Sequence, residues 1–174
     1  MYQRQPVDIA AYVQRTQNNP CFICEIVARR AGGQRPIIYE DDRAIVFFSL
    51  HQLLYGYTLV APRKHCEQVT GDFTLEEYLA LQRIVYRVAE ALRQEVPTER
   101  MYLLSLGSQQ GNRHIHWHIA PLPPGVPYEE QQLAALSLKQ GGLAVPDEEL
   151  SSLAERIRTR LDKLDFIGNN KSGR

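Results

Sequence analysis

An excess of either sign of charge is missing from this sequence. Its 174 residues carry 20 Lys and Arg against 20 Asp and Glu, for a formal net charge of zero. That balance removes the general electrostatic case for a nucleic-acid polymer or an anionic membrane as partner. Long hydrophobic runs are absent too. AIVFF at 44–48 and YTLVA at 57–61 are among the longest, far short of the roughly 20 apolar residues that a membrane span needs. Cysteine is scarce, and the three present, Cys21, Cys24 and Cys66, do not make a disulfide framework. The opening MYQRQPVDIAAYVQ lacks the apolar stretch and small-residue cleavage site of a secretory signal. A soluble, cytoplasmic protein is expected. No internal repeat or low-complexity tract interrupts the chain. Apolar content of 44% with 23% charged residues fits one globular domain with a sizeable core.

What the sequence does hold is a run of strand and helix signals. Residues 7–17 read as a short helix, broken by NNP at 18–20. CFICEIVARRAGG reads as a knuckle-like turn entering a short helix that stops at Gly32-Gly33. PIIYE, AIVFFSL and GYTLVAP are strand candidates separated by turn residues. The clearest helix is 74–95, where Thr74 and Glu77 make a capping box and Pro97 ends the run. Leu75, Tyr78, Leu79, Ile84, Val85, Val88 and Leu92 fall on one face of it. MYLLSL and HIHWHIA are further strands around the polar loop GSQQGNR. After the proline-rich PLPPGVP, helices are expected over about 128–139 and 147–164. The strands are not separated by regular crossover helices, so the class is α+β with a mainly antiparallel sheet.

The stretch NRHIHWHIAP places His114, His116 and His118 in alternation with Ile115, Trp117 and Ile119. On a strand that pattern puts three imidazoles on one face and three large apolar groups on the other. Such a face suits either a metal site, since His-x-His presents two nitrogens to one ion, or covalent catalysis by an imidazole. Ser105 and the loop Gly107–Asn112 offer hydroxyls, amides and backbone N–H groups for a phosphate, with Arg113 adjacent.

HIHWHIA resembles the motif of the histidine-triad (HIT) superfamily of nucleotide hydrolases and transferases. CFIC, AIVFFSL, GYTLVAPRKH and the amphipathic helix precede it in the order that superfamily shows, so the resemblance covers roughly residues 18–122. It implies that His116 is the nucleophile and that a nucleotidyl-His116 intermediate forms at an α-phosphate. It also implies that His118 binds the phosphate and protonates the leaving group. Ser108, Gln110 and Asn112 are the candidates for phosphate contacts. The substrate implied is a dinucleoside polyphosphate or an AMP derivative, with a phosphoanhydride or phosphoramidate bond cleaved. A non-catalytic nucleotide-binding or scaffold protein of the same fold is the rival reading.

Alone, Cys21-x-x-Cys24 is ambiguous and two ligands short of a tetrahedral zinc site. By resemblance to zinc-containing members, His65 in VAPRKH and His114 complete a structural zinc set with Cys21 and Cys24. A homodimer through the long helix and a neighbouring strand is implied as well. Residues 1–127 are expected to be the HIT-like domain, 128–167 a helical extension packed on it, and 168–174 a disordered tail. Three positions depart from the family pattern. Ser49 stands where many members have an aspartate for the ribose hydroxyls, and Tyr57 where many have a histidine; Asn112 replaces a common glutamine. Ser49 remains the candidate for a substrate contact.

Overall fold

Strands form where short apolar segments are bounded by turn residues, and five of them assemble into one sheet. The structure, a computed structural model, describes residues 2–30 and 36–171, with side chains as far as Leu164. In chain order the elements are β1 (Arg4–Gln5), α1 (Ile9–Asn18), α2 (Phe22–Val27), β2 (Ile37–Glu40), β3 (Ala44–Phe48), β4 (Thr58–Pro62), α3 (Leu75–Glu95), β5 (Arg100–Ser105), β6 (Trp117–Leu122), β7 (Gly142–Leu143) and α4 (Asp147–Lys171). Five strands form an antiparallel sheet in the order β2-β3-β4-β6-β5. The class is α+β, as expected. Among the described residues, no helix is long and apolar enough to cross a membrane.

Side-chain alternation divides this sheet into two faces. Val46, Phe48, Val60, Trp117 and Ile119 point to one, where they join Val85, Val88 and Leu92 of α3 and Leu153 and Ile157 of α4 in the main core. Ile45, Phe47, Leu59 and Ala61 point to the other, with Ile23 of α2. The register sets Phe47 opposite Leu59 and Leu59 opposite His118. This second face carries the candidate functional groups.

Helix α3 starts at the expected box: Thr74 Oγ1 accepts from the Glu77 amide at 3.2 Å, and the Thr74 amide donates to Glu77 Oε2 at 2.8 Å. Such a cap stabilises a helix by about 1 kcal/mol. Leu75 and Leu79 depart from the expected buried face, being 66% and 52% exposed. They lie in a stripe with Tyr86, beside the buried one that Leu81, Ile84, Val85 and Val88 form.

Three further expectations are corrected. HIHWHIA is a strand only from Trp117, because the segment before it bonds outside the ladder: the Ile115 amide donates to the Cys66 carbonyl at 2.7 Å. The helix expected over 128–139 is reduced to 3-10 turns at Tyr128–Glu130 and Leu138–Gln140. A positive φ of 55° at Gln132 interrupts it, and Ala135, Leu136 and Leu138 pack on Leu53 and Leu54 instead of forming one helical stripe. Helix α4 continues to Lys171, over residues 168–171 of the expected disordered tail; the remainder of that tail and the expected helix stop at Gly32-Gly33 lie outside the described residues. The N-terminal arm meets the segment that precedes α4 where β1 pairs with β7. There the Arg4 guanidinium donates to the carbonyls of Gly141 (2.8 Å) and Leu53 (3.0 Å). Gly141 has φ 77°, and a Cβ on it would lie 2.4 Å from the Gln5 carbonyl oxygen, so only glycine fits under the arm.

Candidate functional site

Cys21 stands at the N-terminus of α2 and Cys24 one turn on, so both sulfurs lie on the same side of that short helix. His65 follows β4 and His114 precedes β6. The ligand atoms of these four residues lie within 4.8 Å of one another. Nδ1 of His114 is 3.4 Å from Cys21 Sγ and 3.5 Å from Cys24 Sγ, while Nδ1 of His65 is 3.3 Å from Cys24 Sγ. Each ring donates from its far nitrogen: His114 Nε2 to the Pro62 carbonyl at 2.9 Å, and His65 Nε2 to the Glu67 carboxylate at 3.1 Å. Those bonds put the lone pair of both rings on Nδ1, facing the sulfurs.

His116 is buried at 3% exposure. Its Nδ1 donates to the backbone carbonyl of His114 at 2.8 Å, and the Ser105 hydroxyl donates to the carbonyl of His116 itself at 2.9 Å. A carbonyl can only accept, so Nε2 keeps its lone pair. Burial lowers the pKa of this ring below the ordinary histidine value, which keeps it neutral near pH 7. His118 lies beside it, ring centroids 4.7 Å apart. Burial first and the adjacent His116 second push His118 down to about 3, with the Leu106 carbonyl acting in the opposite direction. Its Nδ1 meets the Tyr57 hydroxyl at 2.7 Å, and its buried Nε2 has no hydrogen bond among the described residues.

All three histidines line one cavity of about 1170 Å³. Phe22, Ile26, Ile37, Phe47 and Leu59 give it an apolar end, where Phe22 meets the rings of Phe47 and His116 edge-on. The two faces of β3 and β4 therefore sort residues that the sequence alone leaves mixed. Phe47 and Leu59 line the cavity, whereas Val60 fills the main core and Ile45 packs behind the cavity wall. Across from this end, α1 and the loop before the triad form the rim. Asn112, at φ 57°, donates its side-chain amide to the Tyr12 hydroxyl at 2.7 Å. A Cβ on Gly107 would lie 2.8 Å from the Asn112 carbonyl oxygen, so the loop closes tightly on itself.

Of the polar residues expected to meet substrate, Ser49, Gln110 and Asn112 line the cavity. Ser108 is not among the lining residues; its hydroxyl accepts from the Gln110 amide at 3.0 Å within the turn. Sequence reasoning missed Tyr12 and Thr16 of α1, and Leu136 and Leu138 after the proline-rich break, all on the cavity wall. Helix α1 buries none of its own residues, and that becomes visible only in the structure.

The family model for the HIT domain matches residues 33–124. Among curated relatives, "Protein hit" of Bacillus subtilis (strain 168) is 31% identical over 104 residues, which are 59% of this chain and 70% of that protein. An uncharacterized HIT-like protein of Saccharolobus solfataricus is 31% identical over 106 residues, 58% of this chain and 73% of the relative. The fold is similar to a hypothetical histidine triad nucleotide-binding protein of Sulfolobus tokodaii, with a TM-score of 0.65 at 24% identity over 83% of this chain and 93% of that one. It is equally similar to a zinc-bound histidine triad family protein of Mycobacterium smegmatis, with a TM-score of 0.64 at 23% identity over 84% and 96%. Matched across more than half of its length and carrying the triad in a cavity, the chain belongs to the HIT family.

Proposed function

We propose that this protein is a nucleotide hydrolase or nucleotidyltransferase that cleaves a phosphoanhydride or phosphoramidate at the α-phosphate through a nucleotidyl-His116 intermediate. The observation that carries the reading is the hydrogen bond from His116 Nδ1 to the His114 carbonyl. It fixes the tautomer a nucleophilic imidazole requires, in a ring that burial keeps uncharged. Nε2 attacks phosphorus, the leaving group departs, and water or another acceptor then resolves the P–N bond. His118 faces the same phosphate and assists the leaving group. Gln110 and Asn112 hold phosphate oxygens, Ser49 meets the ribose, and the base enters the apolar end at Phe22, Ile37 and Phe47.

Cys21, Cys24, His65 and His114 are assigned to a structural zinc ion. A sulfur and a nitrogen on one tetrahedral zinc stand about 3.6 Å apart given the usual bond lengths, and the sulfur-to-nitrogen separations of 3.3–3.5 Å match that span. Four protein ligands leave no open position, so the ion's contribution is to hold His114 in place; His116, whose ring bonds to the His114 carbonyl, is positioned in turn. The zinc-bound M. smegmatis relative supports this assignment. A cytoplasmic homodimer completes the reading: Leu75, Leu79 and Tyr86 make an exposed stripe on α3, and β5 is an edge strand with Leu103 49% exposed.

The test is product analysis by chromatography, with wild type and His116→Ala incubated with dinucleoside polyphosphates, nucleotide sugars and an adenosine phosphoramidate. Nucleoside monophosphate released by the wild type alone is the expected result. No turnover by either protein, with nucleotide bound equally by both, would replace the enzyme reading with a nucleotide-binding one.

A further inference from the structure

The two buried rings that face the cavity are held by partners of different chemistry. His116 Nδ1 meets a carbonyl, which forces that nitrogen to carry the proton. His118 Nδ1 meets the Tyr57 hydroxyl, which has a proton to give. A phenol is the stronger acid of this pair and an imidazole nitrogen the stronger base, so the hydroxyl donates to Nδ1. Tyr57 is 4% exposed, and its ring stacks on His118 at 5.6 Å with 21° between the planes. A hydroxyl hydrogen turned away from Nδ1 would be buried without this acceptor, at a cost of about 1–3 kcal/mol. The neutral His118 ring therefore carries its hydrogen on Nε2, the nitrogen that lacks a hydrogen bond among the described residues.

We propose that Tyr57 is a positioning and specificity-determining residue: by donating to His118 Nδ1 it keeps the hydrogen on Nε2, a buried nitrogen of a ring that lines the cavity, as an uncharged hydrogen-bond donor, which suits a phosphate leaving group and disfavours an amine. This rests on the nucleotidyl-transfer reading above and selects between its two bond types. In a phosphoanhydride, the P–N bond to His116 forms as the bridging P–O bond breaks. The electron pair leaves on a phosphate oxygen that is stable as an anion. His118 Nε2–H donates a hydrogen bond to that oxygen, and no proton changes owner. In a phosphoramidate the electron pair lands on nitrogen, which must take up a proton to leave. A neutral His118 can supply one only by becoming an imidazolate, and Tyr57 can replace it only by becoming a buried phenolate. Burial already disfavours that phenolate strongly. The site is built for dinucleoside polyphosphates and other nucleotides with a phosphate-type leaving group.

Two measurements on the full chain test this. Nitrogen-15 NMR of the histidine rings at pH 7, with His118 assigned by its loss in His118→Gln, reports the tautomer whether or not any substrate turns over. The Nε2–H form is expected in wild type, with a shift toward the Nδ1–H form in Tyr57→Phe, which keeps the ring stack. An Nδ1–H form in wild type, or no change in Tyr57→Phe, overturns the proposal. Kinetically, adenylyl substrates are compared that differ only in a phosphate or an amine leaving group. The phosphate substrate should lead in kcat/KM by about 100-fold, the usual worth of a missing general acid. Tyr57→His, which restores an ionisable partner, should narrow the ratio through kcat for the amine substrate with KM unmoved. Equal rates for the two substrates in wild type, or a ratio unmoved by Tyr57→His, count against it. If neither substrate reacts, the enzyme reading fails while the tautomer result still decides the role of Tyr57.

Discussion

Phe47 and Phe48 are neighbours in β3, both fully buried, yet they belong to different parts of the molecule. Phe48 points into the core beneath α3 and α4. Phe47 points to the other face, with Phe22 and Leu59, and forms part of the cavity wall. One face of the sheet is closed by two helices and holds the fold together. The opposite face is covered by short pieces, α1, α2 and the 128–143 segment, with space left between them. The two phenylalanine rings are about equally buried; what differs is whether the side chain packs in the helix-covered core or lines the cavity.

The largest effect expected on this comparison concerns the proposed zinc site of Cys21, Cys24, His65 and His114. Removing the ion with a strong chelator, or changing Cys24→Ser, should lower the melting temperature by roughly 10 °C or more, because structural zinc binding is also folding free energy. A melting curve that ignores chelator would remove zinc from the account. Next come the paired phenylalanines. Phe48→Ala should cost about 3–5 kcal/mol in denaturant unfolding, with KM of the remaining folded protein unchanged. Phe47→Ala should lose stability too, but must also raise KM for a nucleotide; equal KM in the two variants would erase the distinction between the faces. Leu153→Ala in α4 should cost about 2–5 kcal/mol with kcat unaltered, since it lies only in the helix-covered core. Smallest is Tyr12→Phe. Losing one partly buried hydrogen bond to Asn112 should cost about 1 kcal/mol, seen as a several-fold rise in KM with kcat kept.

Much of the thick face was legible in the sequence, because period-two and helical patterns report on surfaces that bury residues continuously. The alternation in HIHWHIA identified Ile115, Trp117 and Ile119, and all three lie in the main core. It overstated the strand, since residues 114–116 are held by bonds that leave no trace in a periodic pattern: His114 to Pro62, Ile115 to Cys66 and His116 to Ser105. The ligand partners of Cys21 and Cys24 were readable only through resemblance, because His65 and His114 are 41 or more positions distant from Cys24. Leu75 and Leu79 misled for the opposite reason. Their spacing is helical, yet it follows a stripe that the core does not reach. Tyr57 was visible only as an unusual residue; its meaning needed the 2.7 Å contact to His118.

The clasp between β1 and β7 sets an order of events during synthesis. Arg4 is held by the carbonyls of Leu53 and Gly141, and α1 has no buried residue of its own to anchor it. Chains emerge from the ribosome N-terminus first, so the arm and α1 are exposed while the rest of the domain is still being made. Their partner strand arrives only with residues 142–143. The wall of the cavity that is translated earliest is therefore the one fixed last, and the site is completed only once residues 142–143 are present.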